Sequence, residues 1–153
     1  MKLVGKHQKT AEKIQKALKG LPDFSTIICI DPASRSLGYS KWRKENDEWC
    51  LFDSGKVVAK GDINDRLSFM YKELTGMVTP DAVFIEFLGG STGHKYLLWA
   101  AGVIAAAFPY MPLVEVQTGL WKRFIDKNYT KDDEIDAIYI GKCVTEISGW
   151  TEN

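Results

Sequence analysis

Histidine is scarce in this chain. His7 and His94 are the only two, and they show no ligand spacing and no serine or cysteine partner. That argues against a zinc centre and against a nucleophile–histidine triad. Cysteine is almost as rare. Cys29, Cys50 and Cys143 have no CxxC spacing, and each sits in or beside an apolar segment. They read as reduced core thiols rather than zinc ligands or disulfides. No GxxxxGK[ST] loop is present, so a P-loop nucleotide site is excluded. The longest apolar run, Tyr96 to Phe108, stops at Pro109 and is too short to span a bilayer. Nothing at the N-terminus has the pattern of a secretion signal, so a soluble, intracellular protein is expected. Charge of one sign is missing too: 20 basic and 20 acidic side chains give a net charge of zero. This counts against a uniformly basic nucleic-acid binder. It does not locate the charges, however, and a cluster of metal-binding acids would offset a basic rim.

What is present suits one domain with a real core: 153 residues, 45% of them hydrophobic. Residues 1–25 form a basic helical extension. Ala11, Ile14, Ala17 and Leu18 recur at helical spacing, and Gly20 and Pro22 end the pattern. Its lysines, Lys6, Lys9, Lys13, Lys16 and Lys19, make either a solvated face or a contact for DNA backbone or a partner subunit. Residues 26–153 carry the rest. Thr26 to Ile30 is an apolar strand, Gly38 to Arg43 a second, and Trp49 to Phe52 and Lys56 to Ala59 further strand material. Asp53-Ser54-Gly55 reads as the turn of a hairpin joining the last two. A helix over Asp62 to Val78 follows, then a buried strand Ala82 to Ile85 closed by Glu86. Beyond the Gly89-Gly90-Ser91 loop come an apolar helix (Thr92 to Phe108), a strand (Leu113 to Val116), a short helix (Trp121 to Ile125) and a last helix (Asp132 to Ile147). The order βββαβαβα implies an α/β fold with a mixed sheet and helices on both faces.

The informative acids stand at element ends. Asp31 follows the first strand, and Glu86 closes the strand that starts at Ala82. Asp133 and Asp136 are three apart at the start of the last helix, which puts them on one helical face. Taken singly, Asp31 could open a turn before Pro32, and the helix pair could be simple N-terminal capping. Together the four supply what hard divalent cations require, carboxylate oxygens delivered from separated parts of the chain. Two such ions can bridge a phosphodiester, activate a water and hold the leaving oxygen.

The same residues fall into motifs. Ile28-Cys29-Ile30-Asp31-Pro32-Ala33-Ser34-Arg35, with Gly38 opening the next strand, resembles the first motif of RuvC-type Holliday-junction resolvases, with Ala33 where that family usually has glycine. Val83-Phe84-Ile85-Glu86 resembles the second motif. Leu113 to Val116 with Trp121-Lys122 resembles the fourth strand and its trailing lysine, and Asp133-Glu134-Ile135-Asp136-Ala137 the closing acid pair. The resemblance implies an RNase H-like fold with a five-stranded sheet, a homodimer, Mg²⁺ or Mn²⁺, and paired nicks across a four-way DNA junction. It implies metal binding by Asp31, Glu86, Asp133 and Asp136, with Lys122 near the scissile phosphate. The family's wedging aromatic follows its glutamate at a short distance; here Phe87 follows immediately. Only ten residues separate Lys122 from Asp133, where the family carries a longer stretch with a helix. The basic residues left there are Arg123, Lys127 and Lys131.

On this reading Asp31 is the central ligand, flanked by Glu86 and Asp136, and mutual repulsion raises at least one pKa when metal is absent. Lys122 is either a phosphate contact or an ordinary exposed lysine. Arg35, Lys41, Arg43, Lys44, Phe87, Arg123 and Lys127 are the candidate DNA contacts, and Trp42 and Trp49 either stack on unpaired bases or pack in the core. The small-residue helix Tyr96 to Phe108 is either a dimer interface or buried within the monomer. A ribonuclease H, another polynucleotidyl transferase and a non-catalytic nucleic-acid scaffold are the alternatives on the same fold. A cytoplasm or nucleoid, a viral factory or an organelle would each suit such an enzyme.

Overall fold

The computed structural model describes residues 2–87 and 95–150. The first strand explains the architecture. β1 (Thr26–Pro32) is apolar on both sides, so it must lie inside the sheet with both faces covered. It pairs antiparallel with β2 (Ser36–Glu45) on one side and parallel with β4 (Ala82–Glu86) on the other. β3 (Glu48–Val58) and β5 (Leu113–Val116) form the two edges, giving the order β3-β2-β1-β4-β5.

Side-chain alternation divides the core in two. Ile27 and Cys29 of β1 and Phe84 of β4 face α1 (Gly5–Leu18) and α5 (Asp133–Ser148). Ile28, Ile30, Val83 and Ile85 face α2 (Ile63–Thr75) and α3 (Lys95–Ala107). The expected mixed five-stranded sheet with helices on both faces is therefore present. The N-terminal extension docks into the first of these cores, with Ala11, Ile14 and Leu18 buried there.

Three local expectations need correction. The turn between β2 and β3 is Asn46-Asp47, with φ of 52° and 65°, the left-handed pair that suits a two-residue hairpin. Asp53-Ser54-Gly55 instead continues β3. Gly55 lies opposite Tyr39, and a Cβ there would meet the Tyr39 hydroxyl at 2.8 Å, so the glycine makes room for a ring rather than for a turn. Cys50 is exposed, because β3 is an edge strand, while Cys29 and Cys143 are buried. The helix expected over Trp121 to Ile125 is two pieces, α4 (Thr118–Trp121) and a 3₁₀ turn over Lys122–Phe124. Trp42 is a core residue, and Trp49 packs partly buried against the same core. The Gly89-Gly90-Ser91 loop, the expected helix start at Thr92 and His94 lie outside the described residues. Among the described residues no helix is long and apolar enough to cross a membrane.

Candidate metal centre

Alternation also decides where the strand-end acids point. Asp31 shares parity with Ile27 and Cys29, and Glu86 with Phe84, so both project from adjacent parallel strand ends onto the face that carries α5. The start of α5 is pressed against that edge. Gly38 pairs with Asp31 in the sheet, and a Cβ on it would come within 1.9 Å of the Asp133 carbonyl oxygen. Further along, Gly141 lies against the Trp42 indole at a would-be 2.1 Å. Ser40 donates to the Ala137 carbonyl at 2.7 Å and accepts from Trp42 Nε1 at 2.9 Å. Two glycines and one buried hydroxyl thus fix α5 on β2.

Asp132 takes the N-cap of α5, accepting from the Glu134 N–H at 3.1 Å, and forms an ion pair with Lys56. Capping therefore does not occupy Asp133 or Asp136. Those two converge with Asp31 and Glu86. Burial and the nearby Glu86, Asp136 and Asp133 carboxylates push the Asp31 carboxyl up to about 9, and it hydrogen-bonds Asp133. Burial also raises Glu86 and Asp136.

Three of the four acids are held by a side-chain donor from another element. Ser36 Oγ donates to Asp133 Oδ2 at 2.6 Å. Trp121 Nε1 donates to Glu86 Oε2 at 2.9 Å. Tyr129 hydroxyl donates to Asp136 Oδ1 at 2.6 Å. Each donor engages one oxygen and orients the other, the usual arrangement behind a ligating carboxylate. None of these donors was singled out from the sequence. Ser36 and Trp121 lie 97 and 35 residues from their acids, too far for any local pattern to find. Tyr129 comes from the short connection before α5.

Among the described residues no group of three or more histidine, cysteine or carboxylate side chains is placed to hold a metal ion as it stands. The donor chemistry nonetheless fits a hard divalent cation. All four groups are carboxylates, and the burial and mutual repulsion that raise Asp31 are what a bound cation would relieve.

The basic candidates separate into two groups. Lys122 is exposed and close enough to lower both Glu86 and Asp136 electrostatically, and Lys131 does the same for Asp136. The charge of Arg123 acts on His7 of α1. Arg35 is exposed on the β1–β2 loop, whose Ser34 carbonyl accepts from the buried Arg66 at 3.0 Å. Phe87 is 39% exposed immediately beyond Glu86, and Lys127 is exposed in the connection before α5. Lys41 and Arg43 are elsewhere. They pair with Ile28 and Thr26, on the opposite sheet face from Asp31 and about 10–17 Å along the strand from it. Lys41 meets Asp53, Arg43 covers the Phe52 ring, and Lys44 is bound to the Leu21 carbonyl and Asp47.

No family model matches the chain, and no curated protein sequence does. Solved structures do. Thermus thermophilus RuvC bound to a Holliday junction substrate superposes with a TM-score of 0.64 at 14% identity, covering 80% of this chain and 93% of that one. The yeast mitochondrial Holliday junction resolvase Ydc2 gives 0.63 at 9% identity, over 95% and 88%. Fowlpox virus resolvase with its junction DNA gives 0.53 at 15% identity, over 78% and 98%. The chain has the RNase H-like fold of these resolvases.

Proposed function

We propose that this protein is a divalent-metal-dependent endonuclease that cuts four-way or other branched DNA by phosphodiester hydrolysis, acting as a homodimer. The observation that carries the reading is the convergence of Asp31, Glu86, Asp133 and Asp136 from two strand ends and a helix start on a resolvase fold. Mg²⁺ or Mn²⁺ held by these acids would supply Lewis acidity to the phosphodiester and lower the pKa of water. Asp31 is the central group, because it is coupled to the other three. Glu86 and Asp136 flank it, oriented by Trp121 and Tyr129. Lys122 meets the phosphate that approaches this cluster, and Arg123, Lys127, Arg35 and Phe87 extend the contact around it. Lys41, Arg43 and Lys44 are too distant to touch DNA at the reacting phosphate; any contact they make is with an arm. The apolar, half-exposed α3 supplies a surface for the second copy, and two nicks on opposite strands require two such sites.

The test uses labelled four-way junction, linear duplex and RNA–DNA hybrid, each with and without Mg²⁺, with the cuts mapped. Paired, metal-dependent nicks on the junction are expected. Selective cutting of the hybrid's RNA strand would replace this reading with ribonuclease H activity, and binding without any cutting would replace it with a scaffold.

A further inference from the structure

Residues 1–19 hold six lysines against a single glutamate, so this segment carries +5 and the remainder of the chain −5. The imbalance is ordered by the helix. At 100° per residue Lys6, Lys9, Lys13 and Lys16 fall within a sector of about 80°, turned away from buried Ala11, Ile14 and Leu18. All four are exposed, and among the described residues none joins an ion pair.

The direction of the helix gives this stripe a meaning. At its start, His7 lies against Gly119, and Thr10 donates to Gln117 at 2.7 Å, just beyond the end of β5 and ahead of Lys122 and Arg123. Further on, Gln15 donates to the Ile147 and Trp150 carbonyls at the far end of α5. α5 begins at the acid cluster, so α1 leads away from the cluster alongside it. The lysines from Lys6 to Lys16 therefore make a track about 15 Å long that begins beside Arg123.

We infer that the outer face of α1 is a nucleic-acid backbone track, which holds the phosphates of one duplex arm as that arm leaves the carboxylate site. This rests on the nuclease reading above and adds the element that supplies affinity. A domain that is otherwise net negative, with four acids facing the substrate, needs a concentrated source of positive charge. The spacing of the lysines, three and four residues apart, places their successive Cβ atoms about 5–6 Å apart along one helix face. The track is sequence-blind, because side chains that meet only phosphates read no bases.

The experiment compares the full-length protein with a variant carrying Lys6→Gln, Lys9→Gln, Lys13→Gln and Lys16→Gln, and with a matching Lys→Arg variant. Glutamine and arginine keep helix propensity, so thermal melting should be unchanged in both. Junction affinity is measured in EDTA by fluorescence anisotropy across a salt series. The glutamine variant should bind about 10- to 100-fold more weakly at low salt, with a salt slope shallower by about 2–4 units, while the arginine variant matches the parent. Single-turnover cutting at saturating protein should be retained, since none of the four lysines joins the acid cluster. A glutamine variant with the parent's affinity and slope overturns the track while leaving the nuclease reading intact. A parent protein that binds no junction overturns that reading and the track together.

Discussion

The last helix and the apolar helix make an instructive pair. α5 opens with three acidic residues in four positions behind an acidic N-cap, yet eight of its residues are buried, Asp136 among them. α3 is built almost wholly from apolar and small residues, yet only Ala100 and Ile104 are buried in it, and Leu98 and Trp99 remain about half exposed. Composition alone would have ranked them the other way. α5 is drawn in by specific fits: Gly38 under Asp133, Gly141 under Trp42, and Ser36, Ser40 and Ser54 bonding to its first two turns. Among the described residues α3 has no comparable fits on its outer side, and its apolar surface there stays exposed. The tightly fitted acidic helix and the loosely covered apolar one thus lie on opposite sides of one sheet.

Four substitutions test that contrast. The largest effect is expected from Asp31→Asn. Single-turnover cutting in Mg²⁺ should fall by at least about a thousandfold, since metal-based stabilisation of the transition state is worth several kcal/mol. Junction affinity in EDTA should survive. The metal-free variant should melt about 3–6 °C higher than the parent near neutral pH, because a buried, repelled acid is gone. The parent's Asp31 has a folded pKa raised to about 9, so the folded state holds a proton that the unfolded chain has released. That contribution to stability is full below the ordinary carboxylate pKa and is lost as pH rises through about 9. In EDTA the parent should therefore lose melting temperature from pH 5 to pH 9 more steeply than Asp31→Asn. Equal slopes would contradict the coupling assigned to this acid.

Next is Gly38→Ala. The added methyl meets backbone rather than a movable side chain, so the start of α5 must shift and take Asp133 and Asp136 with it. Cutting should drop about a hundredfold, the usual penalty for misplacing reacting groups by about 1 Å. Stability measured by urea unfolding should fall by about 1–3 kcal/mol. Wild-type cutting by this variant would show that the contact of α5 with β2 does not set the site.

The third acts on the other helix. Trp99→Glu alters a half-exposed residue and should leave the fold and the acid cluster intact. Light scattering should change from about twice 17.2 kDa for the parent to the single-chain mass, and paired nicking should become single nicking. An unchanged mass would assign the α3 surface to something other than self-association.

Tyr129→Phe is the mildest. It removes one hydrogen bond to Asp136 and should raise the Mg²⁺ concentration needed for half-maximal cutting by about tenfold, with saturating metal restoring most of the rate. A loss that metal cannot restore would place the phenol in contact with DNA instead.

Much of this architecture could be read from the chain itself. A strand apolar on both sides, an acid at its end, a second strand ending in glutamate and an acid pair opening a helix are local patterns. What they could not reveal was parity and distance. The hairpin turn was misplaced because Asp53-Ser54-Gly55 has turn composition, whereas Asn46-Asp47 has the left-handed backbone. Lys41 and Arg43 sit close to Asp31 in sequence, but β2 runs antiparallel to β1 and so leads away from that acid. The orienting donors Ser36 and Trp121 depend on contacts that exist only once the sheet and α5 have met.

The stapling of α1 has a consequence for the order of folding. Thr10 reaches across 107 residues to Gln117, and Gln15 across 135 to Trp150. Closing loops of that length costs entropy before any contact repays it, whereas the β1–β2–β3 meander and the β4–α3–β5 unit use short ones. α1 should therefore dock last, onto a sheet already formed. In refolding followed by pulsed hydrogen exchange, its amides would gain protection after those of β1 and β2. Until that final step, Ile14 and Leu18 stay uncovered, which makes this closure the stage at which a folding chain is most prone to associate with its neighbours.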